Sequence, residues 1–252
     1  MRKNKMKAAL AADEPALGCS VMIPSPQAVE MVGQAGFDWV LIDMEHGTLG
    51  LETAELMVMA ADSAGITPII RPPSNATADI SAAMDRGAAG VQIPHINTPD
   101  EARRAVSAVK FGAGAGRGLA AGTRPDKYGL GGEAPDFVAR SNAESLVCIQ
   151  LEHRNAIEHT DELLQVDHVD VFFIGPSDLS QSMGYPGQPG AAPVQRAIEQ
   201  TLDRIVAAGK TPGMPAGKDN VEDLMHRGVR YMYTHLPKLI GAGSEEFLRA
   251  CR

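Results

Sequence analysis

Two carboxylates that follow buried, strand-like segments are the residues best suited to bind a metal ion. Glu152 ends the apolar segment Leu146–Glu152, and Asp178 follows the segment Val169–Gly175. An ionisable group in such a place is costly unless it is paired or ligated. Because both are hard oxygen donors, the pair favours Mg²⁺ or Mn²⁺, with Co²⁺ or Zn²⁺ as alternatives. Each could instead cap the following helix, but Gln150 on the same strand face as Glu152 supports the metal site.

Two further side chains near predicted strand ends are suited to substrate chemistry. Arg71 precedes the rigid pair Pro72–Pro73 and could bind a carboxylate, or it could form an ion pair with a neighbouring acid. His46 could act as a general base, because imidazole titrates near neutral pH. A single histidine is more often structural, but this one lies in a cluster with Asp43 and Glu45.

The elements that must position these residues alternate regularly along the chain. Short apolar segments typical of buried parallel strands are each followed by a segment with helical periodicity. The predicted strands are Gly18–Ile23, Trp39–Asp43, Pro68–Arg71, Gly90–Pro94, Leu146–Glu152, Val169–Gly175, Thr211–Pro215 and Arg230–Thr234. The predicted helices are Gln27–Gln34, Leu51–Ser63, Ala76–Arg86, Pro99–Val109, Ala156–Gln165, Pro193–Ala208, Asn220–His226 and Lys238–Cys251.

Eight strand–helix units predict one α/β domain, a (β/α)₈ TIM barrel over residues 1–252. A doubly wound open sheet is the alternative. In a barrel the catalytic groups lie at the carboxyl ends of the strands, where the candidate residues are found. The Gly-rich segment Phe111–Pro135 interrupts the pattern and carries Arg117, Arg124 and Lys127. It is interpreted either as a loop that closes over the site or as a solvated loop.

The composition argues against several other classes of protein. The chain has 23 basic and 31 acidic residues and a net charge of −8, which disfavours a nucleic-acid partner. Cys19, Cys148 and Cys251 are widely spaced and odd in number, which disfavours a disulfide framework and fits a cytoplasmic location. No apolar run has the length of a membrane span. Asp13 and Glu14 interrupt the apolar part of the amino-terminal segment, which argues against a secretory leader.

Several sequence strings resemble those of the HpcH/HpaI aldolases, which are class II, metal-dependent pyruvate aldolases. The matching strings are Gly36–Gly47, Arg71–Pro72, Gln150–Glu152, Phe173–Ser180 and Met183–Gly184. They are collinear from about residue 17 to residue 228. The resemblance implies a TIM barrel that catalyses reversible aldol cleavage of a 4-hydroxy-2-oxo acid to pyruvate and an aldehyde. It also implies a homohexamer whose last helix is exchanged between neighbouring subunits.

The resemblance assigns roles to residues that bind the metal and the oxo acid. Glu152 and Asp178 match the family's metal ligands. Arg71 matches the arginine that binds the carboxylate of the oxo acid and stabilises its enolate. Gln150 matches a residue near the bound keto group, and Ser177 falls where the family binds the pyruvate carboxylate.

The resemblance also assigns the groups that move a proton. His46 matches the family's base, and Asp85 matches an aspartate that forms a dyad with it. Considered without the resemblance, Asp85 lies near a predicted helix end and is interpreted as solvated surface. Asp43 and Glu45 match acids that support the metal and base.

Departures from the family leave the aldehyde half of the substrate open. The segment Tyr233–Lys238 differs from the turn usual after the last strand, and His95 stands where a relative has an apolar residue. No role is assigned to His95 or His235. Three alternatives remain: a Schiff-base aldolase, which needs a lysine at a strand end, a citrate-lyase-type enzyme acting on CoA thioesters, and a non-catalytic barrel that binds keto acids.

Overall fold

A computed structural model describes residues 2–120 and 122–251 and shows a closed barrel of eight parallel strands in chain order. The strands are β1 (Ala16–Val21), β2 (Trp39–Asp43), β3 (Thr67–Arg71), β4 (Gly90–Ile93), β5 (Leu146–Leu151), β6 (Val171–Ile174), β7 (Thr211–Pro215) and β8 (Tyr231–His235). The predicted TIM barrel is therefore confirmed, and the open sheet is excluded because β8 pairs with β1.

Twelve α-helices lie before, between and after the strands in the described part of the chain. They are α1 (Lys5–Ala11), α2 (Pro26–Gln34), α3 (Leu51–Ala64), α4 (Thr77–Asp85), α5 (Pro99–Val109), α6 (Ala134–Glu144), α7 (Arg154–Glu158), α8 (Thr160–Leu163), α9 (Pro176–Ser182), α10 (Ala192–Ala207), α11 (Val221–His226) and α12 (Leu236–Arg249). A 3₁₀ segment, Arg124–Gly129, lies between α5 and α6. No described helix is long and apolar enough to span a bilayer.

The helix predictions failed where segments are short or lack apolar periodicity. The helices α1, α6 and α9 were not predicted, and the predicted helix Ala156–Gln165 is split into α7 and α8. The helix α9 has only seven residues, with Pro176 in its first turn, where the missing N–H costs nothing. So short a segment carries too few apolar residues to show a period of 3.6.

The apolar core consists of two separate clusters of buried residues. One lies between the strands and the surrounding helices, and the other fills the barrel. Trp39 is fully buried inside the barrel, and a Cβ at Gly18 would lie 2.3 Å from its ring. The helix α1 closes the amino-terminal end of the barrel with the buried side chains of Met6 and Leu10. The barrel interior at this end is filled by apolar side chains, and the polar candidate residues lie at the opposite end.

The segment 111–135 does not close over the carboxyl ends of its own chain's strands. Arg117 is buried, and its Nη1 donates to the carbonyl oxygen of Val109 at 2.9 Å. Arg124 Nη2 donates to Asp62 Oδ2 at 2.6 Å, in the last turn of α3. Both partners lie near helix carboxyl ends, which in this barrel are on the amino-terminal side. Closure over the chain's own site is therefore contradicted, whereas most described residues of the segment, including Lys127, are exposed, as expected for a solvated loop.

Candidate active site

A buried ion pair at the ends of β2 and β3 holds the central arginine. The strand register aligns Asp43 with Arg71. The guanidinium donates from Nε to Asp43 Oδ1 at 2.9 Å and from Nη2 to Asp43 Oδ2. Its Nη1 lies 3.2 Å from Glu45 Oε2. Burial lowers the pKa of Arg71, but the hydrogen bond to Asp43 and the surrounding negative groups raise it above its ordinary value. Arg71 therefore stays charged, with Nη1 as the nitrogen not engaged by Asp43.

The amide of Gln150 connects this arginine to the carboxylate of Glu152. Gln150 Oε1 accepts hydrogen bonds from Arg71 Nη1 at 3.4 Å and from the amide nitrogen of Gln92. Its Nε2 donates to Glu152 Oε2 at 2.6 Å. The hydroxyl of Tyr231 donates to Gln92 Oε1 at 3.0 Å, which fixes the orientation of the second amide. One continuous network thus sets the distance between the guanidinium and the carboxylate.

Glu152 is a buried carboxylate held by two protein donors. Besides Gln150, the backbone N–H of His95 donates to its Oε1 at 2.7 Å. Burial raises the pKa of Glu152; the His95 contacts oppose this rise, whereas the charges of Glu45 and Asp178 add to it. A carboxylate in this environment loses its proton more readily when a cation binds beside it.

Three potential ligands converge on one point at this end of the barrel. One atom each from Glu45, His95 and Glu152 lies within 4.8 Å of the others. Glu45 Oε2 is buried and has no hydrogen-bond partner. This oxygen faces the charge of Arg71 Nη1 at 3.2 Å, so the convergence of the three side chains, and not an unpaired acceptor, indicates the metal site. The donor set, carboxylates with an imidazole, fits a divalent metal.

Asp178 and Ser177 lie on the first turn of α9, next to this cluster. The charge of Asp178 acts on Glu152, but Asp178 is not in the group of three convergent ligands. Ser177 is exposed, and its carbonyl oxygen accepts from Ser180 Oγ at 2.7 Å. Asp178 therefore lies beside the site and Ser177 precedes it on the same turn, whereas Glu45 and His95 are the residues that converge with Glu152.

Two histidines flank the arginine on the other side of the mouth. His46 is half-exposed, and its Nε2 lies 3.8 Å from Glu45 Oε2. His235, at the end of β8, has a buried Nδ1 without a hydrogen-bond partner. Burial and then the charges of Lys238 and Arg71 lower the pKa of His235. An imidazole with a lowered pKa and a more accessible one thus lie at the same opening.

Asp85 is not brought to His46 within one chain. The helix α4 returns to the amino-terminal end of the barrel, and Asp85 is its last residue, whereas His46 follows the carboxyl end of β2. The nearest charged partner of Asp85 is Arg117 Nη2, at 3.4 Å from Oδ1. A dyad of these two residues therefore requires two copies of the chain.

The site geometry agrees with the result of comparing the sequence with known families. Residues 17–230 match the family described as HpcH/HpaI aldolase/citrate lyase. The chain belongs to this family.

Curated members of the HpcH/HpaI family cover most of the chain. The hydroxypyruvate/pyruvate aldolase of Sagittula stellata is 36% identical over 225 residues, which are 89% of this chain and 86% of the relative. The 4-hydroxy-2-oxo-heptane-1,7-dioate aldolase of Shigella sonnei is 36% identical over 212 residues, 84% of this chain and 80% of the relative. The predicted enzyme class, a carbon–carbon lyase of the aldolase type, is thereby confirmed.

A solved structure supports the same assignment to the HpcH/HpaI family. The family protein from Burkholderia cenocepacia superposes with a TM-score of 0.92 at 27% identity. It covers 99% of this chain, and this chain covers 100% of it. The fold therefore matches over nearly the whole length of both chains.

Three residues of this HpcH/HpaI site escaped functional assignment from the sequence. Gln92 and Tyr231 lie inside strands, where single polar residues in apolar runs are easily taken for packing. The alternation of side chains along a strand, which directs both residues into the barrel, is the signal that could have identified them. His95 was left without a role, because only the fold brings it between Glu45 and Glu152.

Replacing Gly175 with alanine tests how tightly the Glu152 carboxylate is seated. A Cβ at Gly175 would lie 2.9 Å from Glu152 Cβ and 3.1 Å from its Oε2, so the carboxylate must move. Gly175 has a φ of −98°, which alanine adopts freely, so the effect is steric. We expect Gly175→Ala to weaken Mn²⁺ binding about tenfold by calorimetric titration. Gly190→Ala is the control, since its Cβ meets nothing within 4 Å; equal Mn²⁺ affinity in both variants would contradict the seating argument.

Proposed function

We propose that this chain is a divalent-metal-dependent aldolase that reversibly cleaves a 4-hydroxy-2-oxo acid to pyruvate and an aldehyde. The observation that carries the proposal is the network linking Arg71 through Gln150 to Glu152. It fixes a guanidinium beside a cluster of potential metal ligands, which is what a 2-oxo acid needs for recognition. The family relatives named as aldolases for such acids support the same reaction.

The metal and the oxo acid are held by residues on one side of the mouth. Glu152 and Asp178 would hold a Mg²⁺ or Mn²⁺ ion, which when bound supplies a Lewis acid for the negative charge of the substrate. Arg71 binds the anion through Nη1 and stabilises charge that develops on the enolate oxygen, while Asp43 keeps the guanidinium in place. Gln150 lies beside the keto group, and a donor from Ser177 binds the carboxylate.

His46 moves the proton in the cleavage direction. It takes the proton from the 4-hydroxyl group while the bond between C3 and C4 breaks. The electron pair of that bond passes to the pyruvate half as an enolate, and a proton from water then converts C3 to the methyl group. Because His46 is half-exposed and close to Glu45, it can exchange its proton with solvent.

A homohexamer with the last helix exchanged would account for two features of the single chain. The helix α12 has no buried residue, and Leu239, Ile240, Phe247 and Leu248 on it are exposed. Large apolar surfaces of this kind mark interaction sites. A neighbouring subunit could also bring its Asp85 to His46, which the fold prevents within one chain.

Subunit mixing tests whether Asp85 serves a neighbouring His46. The variants His46→Ala and Asp85→Asn are each expected to be nearly inactive. When the two variants are co-expressed in one assembly, activity should recover to about a quarter of the wild-type value. With random mixing, about a quarter of the sites combine an intact His46 from one subunit with an intact Asp85 from its neighbour. Mixing His46→Ala with the double variant is the control. Recovery no greater than in that control would show that the two residues do not act together across subunits.

The strands give no support to the Schiff-base alternative. None of the eight strands contains a lysine, and Lys218 and Lys238 lie beyond the ends of β7 and β8. A Schiff-base aldolase needs a desolvated lysine that reaches the substrate carbonyl. Borohydride trapping with pyruvate separates the two chemistries, because covalent labelling would exclude the metal mechanism.

The proposed reaction is tested by following the methyl protons of pyruvate in D₂O. With Mg²⁺ or Mn²⁺ we expect exchange by nuclear magnetic resonance, and we expect EDTA to stop it. Turnover of pyruvate with aldehydes that do or do not carry a terminal carboxylate then identifies the second substrate. Metal-dependent binding of pyruvate without exchange would favour a non-catalytic barrel, and activity confined to CoA thioesters would favour the citrate-lyase type.

A further inference from the structure

The backbone of His95 is fixed in an unusual conformation beside the proposed metal site. His95 lies just beyond β4 and has a φ of +56°, in the left-handed region. Its carbonyl oxygen accepts from the side-chain amides of Asn75 at 2.9 Å and Asn97 at 3.3 Å. Its N–H donates to Glu152 Oε1 at 2.7 Å. Bonds on both sides of the residue thus hold the imidazole over Glu152.

The imidazole of His95 lies between two carboxylates. Its Nε2 is 2.9 Å from Glu45 Oε1, and its Nδ1 is 3.2 Å from Glu152 Oε1. A neutral imidazole has one N–H and one lone pair. If Nε2–H donates to Glu45, the lone pair of Nδ1 faces a carboxylate oxygen that also has only lone pairs. A positive centre is needed between these two atoms, either a second proton or a cation.

The separation of these two atoms is that of adjacent ligands of one metal ion. Ligand distances of about 2.1 Å in an octahedron place neighbouring ligand atoms about 3.0 Å apart. The observed 3.2 Å between His95 Nδ1 and Glu152 Oε1 is close to that value. A metal-binding histidine commonly donates its other N–H to a carboxylate, and Glu45 is placed to accept it.

We propose that Nδ1 of His95 is a direct ligand of the cation held by Glu152, with Nε2–H donating to Glu45. The proposal rests on the metal-dependent function argued above. An added nitrogen ligand favours Mn²⁺, Co²⁺ or Zn²⁺ over Mg²⁺, which prefers oxygen. The chain would therefore select among divalent metals through His95.

Pulsed electron paramagnetic resonance of the Mn²⁺-loaded protein tests the bond directly. We expect nitrogen-14 modulation from a coordinated imidazole in the wild type and its loss in His95→Asn. Asparagine also tolerates a positive φ, so this variant keeps the backbone while removing the imidazole. The control His46→Ala should retain the modulation, because His46 is a separate histidine at the same mouth.

Calorimetric titration with each metal alone supplies a second readout. His95→Asn should weaken Mn²⁺ binding about 10- to 100-fold and Mg²⁺ binding by less than about threefold. His95→Ala, which places no amide near the metal, should likewise lose more affinity for Mn²⁺ than for Mg²⁺.

The possible results separate the ligand proposal from the metal-dependent function. Retained nitrogen modulation in His95→Asn, or none in the wild type, would overturn the ligand proposal, as would equal losses for Mn²⁺ and Mg²⁺. Wild-type protein that binds Mn²⁺ without nitrogen modulation would leave the metal-dependent aldolase standing. Wild-type protein that binds neither metal would remove both.

Discussion

Arg71→Lys is expected to lower kcat for pyruvate-forming cleavage by about 10²- to 10³-fold, the usual cost of losing a preorganised donor to a developing oxyanion. Lysine keeps the charge but has neither the planar fork that Asp43 holds nor the Nη1 that Gln150 aligns. The loss should fall mainly on kcat, because the charge develops in the transition state. Steady-state kinetics and methyl-proton exchange of pyruvate measure it.

The lysine variant is preferable to alanine because lysine keeps a positive charge near the buried carboxylate of Asp43. Asp43 is fully buried, so Arg71→Ala would leave its charge unpaired and cost about 3–5 kcal/mol of the free energy of unfolding. Arg103→Lys is the matched control, because among the described residues Arg103 forms an ion pair only with Asp100, in an exposed contact on α5. An Arg71→Lys enzyme with kcat within about threefold of that control would contradict the oxyanion role, since one lost donor costs far more.

Glu152→Gln is expected to weaken Mn²⁺ binding by more than about 100-fold, beyond the loss usual for an outer-shell partner. Activity and pyruvate exchange should fall with it. The amide has nearly the same shape as the carboxylate but carries no charge. Glu162→Gln, an exposed site on α8, is the control. Calorimetric titration and activity at saturating metal check the result; wild-type Mn²⁺ affinity in Glu152→Gln would place the cation elsewhere.

The raised pKa of Glu152 adds a pH dependence with a defined sign. Burial favours the protonated form, and the metal needs the ionised form, so binding releases a proton. The affinity for Mn²⁺ should therefore fall as the pH is lowered through this pKa, which lies above the ordinary value of 4.5. Without metal, the burial cost of the charge is absent at low pH, grows as the pH rises from the ordinary value of 4.5 to the raised pKa, and is constant above it. Glu152→Gln should remove the Glu152 part of both dependences.

The sequence anticipated the barrel because strand burial leaves a direct mark on composition. Each of the eight strands is a short apolar run, and polar residues such as Asp43 and Arg71 stand at the carboxyl ends. Those ends meet at one face of any parallel barrel, so the candidate cluster could be assembled without coordinates. The short helix α9 has no recognisable apolar periodicity, and the interior position of Gln92 is not evident from the residues around it.

The sequence by itself determined the order of the eight strands, the family and the residue types available for chemistry, because periodicity and local motifs are properties of neighbouring residues. Only the tertiary structure decided how these groups are partnered. In the folded barrel two nitrogens of Arg71 donate to Asp43. His95 lies between Glu45 and Glu152. Asp85 lies at the opposite end of the barrel, beside Arg117. These outcomes depend on strand register, helix direction and burial, which join positions distant along the chain and are set only when the whole barrel closes.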